Sequence, residues 1–357
     1  MAILIGMDEA GYGPQLGPLV VAASAWEVAD EGTRGRGQGA EKAIHDATQA
    51  GATALASSAT TNLAQYDLYR TLRGTVCRKP SEKRIAIADS KALYKPGGGL
   101  RQLERGVHGV LLAMRRALGC WAEMVDGCAA DPDGHHRRLA WHDGFDCRVP
   151  IDATADELPP LGERLAKACG QNGVRPLAIR ARLVFPAEFN KLTEHFASKG
   201  AALSHVTVGL LREVMEDVCR DTGSVDAPAR SVYAVCDKHG ARNFYTALLQ
   251  HHFSEHWIAP AYEGHAESRY EWGPEDARVH ISFRMHGEAF LPTALASMTA
   301  KYLRELAMRA FNEFWCARVP GLRPTAGYAG DSARFKREIE AMQRRLAIDD
   351  HLLWRNR

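Results

Sequence analysis

Residues 2–14 read AILIGMDEAGYGP, and the interpretation of the whole chain starts from them. The apolar run 2–7 is typical of a strand buried on both faces, and it stops at Asp8 and Glu9. The glycines and the proline that follow allow a tight turn, after which residues 16–25 predict a second strand. Two adjacent carboxylates at the end of a core strand are costly to bury without a positive partner. The sequence therefore predicts a metal ion here, provided that the turn twists the backbone enough to bring both acids to one site. The alternative is an acidic hairpin without chemistry.

Length and composition indicate a soluble globular protein. The chain has 357 residues, of which 46% are hydrophobic and 25% charged, enough for one large core or two ordinary ones. It has no secretory leader pattern and no apolar run of ~18 residues, so a cytoplasmic protein without a membrane partner is expected. Eight cysteines without paired or ligand-like spacing argue against a disulfide framework and a zinc site.

Charge is distributed unevenly along the chain, although the net charge is only +2. Residues 301–357 contain 12 Lys and Arg against 7 Asp and Glu, which leaves the first 300 residues slightly acidic. An acidic body with a basic tail suits a protein that holds metal at one end and phosphates at the other. An ordinary solvated helical surface explains the same pattern.

Three later segments place further polar residues beside predicted elements. The strand-like run 231–236 stops at Asp237, as the first strand stops at Asp8. The longest predicted helix, about 289–316, carries an apolar stripe with Glu305 at its edge, so this acid is expected to face inward. A surface ion pair between Lys301 and Glu305 is the alternative. Between these elements, residues 267–272 and 278–283 alternate like the two strands of a hairpin.

Five motifs, in this order, resemble those of type 2 ribonucleases H. Residues 8–23 resemble the family's D-E-A-G-R-G-P followed by G-P-V-V-A-A, and residues 89–93 (DSKAL) resemble D-S-K-x-L. Asp237 stands at a strand end, like the family's third metal-binding aspartate, although the neighbouring letters differ. Residues 296–305 (ASMTAKYLRE) resemble A-S-I-x-A-K-x-x-R-D, and Tyr328 stands where the family has G-Y-G-T.

The resemblance implies an α/β fold, with a ribonuclease H-like mixed β-sheet flanked by helices, inserted segments and a C-terminal helical region. It divides the chain into a catalytic core over residues 1–318, with inserts at about 29–80 and 120–176, and a substrate-contacting loop and helix over residues 319–357. Three departures from the family pattern stand out. Tyr12 replaces the usual arginine, Glu305 replaces the usual aspartate, and the chain is longer.

The site residues follow from the same resemblance. It implies that the catalytic and metal-binding residues are Asp8, Glu9, Asp237 and Glu305. It implies that the substrate-binding residues are Gly11, Tyr12, Gly13, Ser90, Lys91, Lys301 and Tyr328. The acids alone support a similar conclusion, since converging carboxylates are what two Mg²⁺ or Mn²⁺ ions require. D-S-K by itself also suits the N-cap of a helix.

The expected function is metal-dependent endonucleolytic hydrolysis of RNA within RNA/DNA hybrids, or of ribonucleotides embedded in duplex DNA. Nucleic acid is accordingly the expected partner. Two alternatives remain open, a nuclease of the same fold with another nucleic-acid target and a catalytically silent nucleic-acid-binding protein. A silent protein would not need its acids, whereas this sequence has an acid at every position where the family resemblance expects one.

Overall fold

A mixed eight-stranded β-sheet forms the centre of the described chain in the computed structural model. The structure describes residues 1–29, 66–130, 134, 136–220 and 230–356. The strands are β1 (Ala2–Ala10), β2 (Leu19–Val28), β3 (Val76–Cys77), β4 (Ile85–Ala86), β5 (Ala129–Ala130), β6 (Val174–Val184), β7 (Ser231–Asp237), β8 (Ala259–Glu263), β9 (Glu267–Trp272) and β10 (Val279–Arg284). The large sheet has the order β5-β6-β2-β1-β7-β10-β9-β8, while β3 and β4 form a separate pair.

Helices cover both faces of this sheet. They are α1 (Leu68–Thr71), α2 (Ser90–Leu93), α3 (Arg101–Ala113), α4 (Trp121–Cys128), α5 (Leu158–Gln171), α6 (Pro186–His195), α7 (Lys199–Arg220), α8 (Thr246–His252), α9 (Leu291–Cys316), α10 (Ala329–Arg345) and α11 (Asp350–Leu353). Side chains of α3, α5 and α9 share one core with one face of β1, and those of α7 and α8 share a second core with the other face. The predicted fold class, a mixed sheet flanked by helices with a C-terminal helical region, is confirmed.

The strand directions explain why the sheet is mixed. β1 pairs antiparallel with β2, as expected for strands joined by a short connection, and β2 also pairs antiparallel with the distant strand β6. β1 pairs parallel with β7, and β7 parallel with β10, so the carboxyl ends of these three strands lie at one edge. The predicted hairpin is present as β9 and β10. β1 differs from its prediction, because it continues through Asp8 and Glu9 to Ala10.

The structure describes only part of the first predicted insert, but it shows two helices in the second. Residues 30–65 of the first lie outside the described residues, whereas its remainder contains α1 and β3. The second is more ordered than its turn-rich composition indicates, since it contains α4 and α5. Trp121 and Leu165 from these helices are buried in the core that α9 also uses. Phe335 and Leu353 of the C-terminal region are buried in that core too. None of the described helices has the length and apolarity to cross a bilayer.

Gly6 lets α9 lie directly on β1. A Cβ atom at Gly6 would lie 1.9 Å from the backbone nitrogen of Thr293, so any side chain there requires the helix to move. Ser24 and Thr293 fix the same contact by hydrogen bonds, from Ser24 Oγ to the carbonyl of Pro292 (2.8 Å) and from Thr293 Oγ1 to the carbonyl of Val235 (2.9 Å).

We expect Gly6→Ala to lower the free energy of unfolding by about 1–3 kcal/mol or more, because the core must shift to accept the methyl group. Gly170→Ala is the matched control. Gly170 lies in α5 with nothing within 4 Å of its Cβ position, so alanine there is expected to stabilise the helix by up to ~1 kcal/mol. Urea unfolding of both variants measures the difference. Equal midpoints for the two would contradict the close approach of α9 to β1.

Candidate active site at the ends of two parallel strands

The parallel register of β1 and β7 brings Asp8 and Asp237 together. Met7 lies opposite Cys236, so the next residue of each strand, Asp8 and Asp237, stands beside the other. Asp8 is 7% exposed, and its Oδ1 accepts the backbone N–H of Glu9 at 2.7 Å. The structure thus places two carboxylates that are 229 positions apart in sequence at one edge of the sheet.

Helix α9 connects this edge to the D-S-K segment. The hydroxyl of Ser297 donates to Ser90 Oγ at 3.1 Å, and a hydrogen bond from Ser297 also lowers the pKa of Asp8 in part. Asp89 is the N-cap of α2, because its Oδ1 accepts the backbone N–H of Lys91 at 2.9 Å. The capping role that the sequence left open is therefore present, and it orients Ser90 and Lys91 toward the acids.

Burial and mutual repulsion raise the pKa values of the carboxylates in this cluster. Burial, and then the charge of Glu9, raises the pKa of Asp8. Burial, followed by the charge of Asp237, raises the pKa of Glu9 to about 7. Burial also raises the pKa of Asp237, although the backbone N–H of Gly287 donates to its Oδ1 at 3.1 Å. A cation that binds beside these buried carboxylates stabilises their ionised form.

Glu288 is a fourth member of this cluster that the sequence analysis missed. It lies in the short turn between β10 and α9, and its pKa is raised by burial and then by the charge of Asp237. Its charge in turn raises the pKa of Glu9. The sequence contained one usable signal, an acid just after a strand and just before the longest helix. This signal places Glu288 beside the other acids only if β10 is known to run parallel to β7.

The charge of Lys91 lowers the pKa values of Glu9, Asp237 and Glu288 in part. Burial lowers its own pKa, but the charges of Asp89, Asp8, Glu288 and Asp237 raise it overall. Lys91 also lines a groove that Glu9 borders. Lys91 is therefore placed to bind an anion that approaches the acids.

Glu305 lies in the same groove and has different partners. Its Oε1 accepts from Lys301 Nζ at 2.5 Å, and its Oε2 accepts from the hydroxyl of Tyr94 at 2.9 Å. The guanidinium of Arg304 is 3.7 Å away. Lys301 and Glu305 are each about one-fifth exposed, so this is a partly buried pair rather than the surface pair that the sequence left open. A ligand role for Glu305 stays a prediction.

The groove brings the sequence-predicted substrate residues together. It has a volume of about 520 Å³, and Glu9 and Glu305 both line it. All seven predicted substrate contacts line it as well, namely Gly11, Tyr12, Gly13, Ser90, Lys91, Lys301 and Tyr328. Tyr328 is 52% exposed, and its ring lies 4.0 Å from the Cβ position of Gly13. An exposed aromatic ring thus borders the glycine turn.

Two buried arginines hold the glycine turn. Gly11 has φ +84°, and a Cβ there would lie 2.4 Å from Arg304 Nε and 2.7 Å from the carbonyl of Pro18. Arg355 donates to the carbonyls of Gly11, Pro14 and Gly17. Burial lowers its pKa to about 9, followed by the charge of Arg304. The sequence offered no signal for Arg355, which looks like any other residue of the basic tail.

Solved structures of ribonucleases H align with nearly the whole chain. Ribonuclease H2 from Pyrococcus horikoshii is 13% identical with a TM-score of 0.38, and 98% of this chain and 92% of that chain are covered. RNase HII from Archaeoglobus fulgidus, solved in a complex with PCNA, is 14% identical with a TM-score of 0.35, and 99% of this chain and 94% of that chain are covered. Bst-RNase HIII in complex with Mn²⁺ is 12% identical with a TM-score of 0.36, and 99% of this chain and 66% of that chain are covered. No family model matches the sequence, and no curated protein matches it.

The fold is type 2 ribonuclease H-like. That statement rests on the five motifs in their order and on a mixed sheet flanked by helices. Alignments at 12–14% identity with TM-scores of 0.31–0.38 transfer no activity, substrate or metal to this chain. What a ribonuclease H-like site does in this protein depends on its own residues.

The raised pKa of Glu9 predicts a pH dependence of stability in the absence of metal. An acid whose pKa is higher in the folded state binds more protons folded than unfolded, so stability falls as pH rises from about 4.5 to about 7. We expect the melting temperature of chelator-treated protein to fall across this range, and Glu9→Gln to reduce that slope. Thermal unfolding at several pH values measures both. An unchanged slope in Glu9→Gln would contradict the buried, coupled carboxylate.

Proposed function

We propose that this chain is a divalent-metal-dependent endonuclease that hydrolyses RNA within RNA/DNA hybrids, or ribonucleotides embedded in duplex DNA. The observation that supports it best is the convergence of Asp8, Glu9, Asp237 and Glu288 beside a groove that also holds Lys91. Acids with raised pKa values at a cleft are typical of functional sites, because burying them without a role destabilises the fold.

The donor set fits hard divalent cations. Carboxylate oxygens are the ligands that Mg²⁺ and Mn²⁺ prefer, and all four of these side chains offer them. Asp8, Glu9 and Asp237 would hold the ions, with Glu288 as the fourth acid. Two such ions would supply an activated water and neutralise charge that develops on the phosphate. Bound cations would in turn favour the ionised form of these buried carboxylates.

Residues of the groove would position the substrate phosphates. Lys91 faces the acids and the open groove, and Ser90 is held beside it through Ser297. Lys301 lies 4.4 Å from the centre of the Tyr94 ring and is paired with Glu305, so its ammonium has a fixed position. Two ammonium groups along one groove suit the regular spacing of charges on a nucleic-acid strand.

The glycine turn and Tyr328 support a preference for ribose. Backbone groups at a turn that admits no side chain at Gly11 can approach a sugar closely, and the 2′-hydroxyl is the group that distinguishes RNA from DNA. The half-exposed ring of Tyr328 lies next to this turn, where it can stack on a sugar. We therefore assign recognition of the ribonucleotide to this end of the groove.

All eight cysteines are free in the structure, which suits a reducing compartment. The cytoplasm is the proposed location.

The experiment that tests the function is a cleavage panel in Mg²⁺ and in Mn²⁺. The substrates are an RNA/DNA hybrid, a DNA duplex with one ribonucleotide, plain duplex DNA and plain RNA. We expect cleavage of the first two only, and none after Asp237→Asn. Cleavage of plain DNA or of structured RNA instead would favour the same fold with another target. Tight binding of the hybrid without cleavage in either metal would favour the silent nucleic-acid-binding protein.

The identity of the fourth ligand gives a second prediction. Glu288→Gln removes a charge from the cluster, so we expect it to lower the cleavage rate by roughly 100-fold or more. Glu305→Gln is expected to have a smaller effect, because Glu305 orders Lys301 and Tyr94. Glu313→Gln is the control, since Glu313 lies on the same helix, 54% exposed, in a pair with Arg309. Loss of cleavage in Glu305→Gln together with near-normal rates in Glu288→Gln would make Glu305 the ligand.

Tyr12 and Tyr328 test the recognition of ribose. If the turn reads the 2′-hydroxyl mainly through its backbone, Tyr12→Arg is tolerated. Tyr328→Ala is expected to reduce the preference for a ribonucleotide followed by DNA, since a stacked aromatic ring contributes about 1–3 kcal/mol. Relative rates on single-ribonucleotide and all-RNA strands measure the preference. A lowered melting temperature with unchanged preference would make Tyr328 a packing residue only.

A further inference from the structure

Three histidines from two helices meet outside the carboxylate cluster. His205 lies in the middle of α7, and His251 and His252 are the last two residues of α8. One ligand nitrogen from each ring lies within 4.8 Å of the others. Because α7 and α8 belong to the second core, this group is on the other face of the sheet from α9.

Two of the three donor atoms have the separation found around a tetrahedral ion. His205 Nδ1 and His252 Nε2 are 3.2 Å apart. Two nitrogens at about 2.0–2.1 Å from a tetrahedral Zn²⁺ are roughly 3.3 Å apart, so this pair already has the separation that the metal requires. Without metal, these two nitrogens form a hydrogen bond between the imidazole rings.

Neighbouring side chains fix two of these rings in place. Phe196 stacks on His205 with 3.8 Å between ring centres and 6° between planes. Arg212 donates to the carbonyl of His252, which holds the end of α8 against α7. The positive charge of Arg212 is offset by Glu216 at 2.8 Å and Glu255 at 3.1 Å. A ring that is already ordered loses little entropy when it binds an ion.

We propose that His205, His251 and His252 bind one transition-metal ion of the zinc type. They border a cleft of about 220 Å³ that Glu188 and Glu213 also line, so the fourth position is left to water or to a group entering this cleft. Three nitrogen donors favour Zn²⁺ over Mg²⁺ and Mn²⁺, which favour the oxygen donors of the other site. The inference is thus independent of the proposed nuclease activity.

The bound ion would tie α7 to the end of α8. Since α8 follows the segment 238–245, which leaves β7 directly after Asp237, the ion would also restrain the chain behind the carboxylate cluster. Buried contacts already anchor this segment, with His239 Nδ1 3.0 Å from Ser204 Oγ of α7. A metal between the two helices would add a second anchor at the other end of α8.

The test uses the full chain, freed of metal with a chelator and kept in excess Mg²⁺ so that the carboxylates are occupied. Co²⁺ is the probe, because tetrahedral Co²⁺ has intense visible absorption bands. We expect one Co²⁺ per chain with tetrahedral bands, displacement of Co²⁺ by Zn²⁺, and a rise in melting temperature on the order of 5 °C at a hundredfold excess of Zn²⁺ over its Kd.

Four variants decide whether the histidines are responsible. His251→Gln is the main one, since His251 is exposed and its replacement is compatible with folding. It and His205→Gln are expected to weaken Co²⁺ binding about tenfold or more. His351→Gln, an exposed histidine of α11, and Asp237→Asn are expected to leave it unchanged. The proposal is overturned if the wild-type chain shows no tetrahedral bands, if binding survives both histidine substitutions, or if Asp237→Asn abolishes it.

Discussion

Electrostatic repulsion between buried carboxylates at the ends of β1 and β7 is the constraint on which the candidate site depends. The parallel register sets Asp8 beside Asp237, and Glu9 and Glu288 add charge to the same edge. The free-energy cost of burying each group would be smaller for an uncharged side chain. The surrounding structure reduces this cost through the N–H of Gly287, the hydroxyl of Ser297 and the ammonium of Lys91, and the remainder is what divalent cations would supply.

Two buried arginines organise the groove beside these acids. Arg304 and Arg355 are buried, and both donate to backbone carbonyls around the glycine turn. Arginine suits this role because its planar guanidinium can serve several carbonyls at once and keeps its charge when buried. The conformation of the turn at Gly11 therefore depends on Arg355, which lies 344 positions later in the sequence.

The two faces of the sheet carry different donor chemistry. Oxygen donors gather on the edge covered by α9, where Ser297 is hydrogen-bonded to Ser90 and to Asp8. Nitrogen donors gather between α7 and α8, where the ring of Phe196 stacks on that of His205. This difference in ligand type would separate hard from borderline cations. The helix α8 and the strand β7 connect the two places through one short segment of chain.

The sequence alone predicted the strands and helices that have a clear local pattern, and it named candidate site residues. Apolar runs that stop at acids predicted β1 and β7, alternation predicted β9 and β10, and periodicity predicted α9, because these signals depend only on neighbours along the chain. The motifs named Asp8, Glu9, Asp237 and the residues of the groove in the same way. The sequence did not reveal α4 and α5 inside the segment 120–176, where glycine and proline mask the helical pattern.

Only the tertiary structure decided which charged groups meet. Glu288 joins the carboxylates because β10 runs parallel to β7, and strand direction is set by crossover connections rather than by local letters. Tyr94 donates to Glu305 because α2 lies beside α9. Arg355 and the three histidines have no local pattern that separates them from surface residues. Their partners are distant in sequence, and a contact between distant residues exists only once the sheet and its helices have packed.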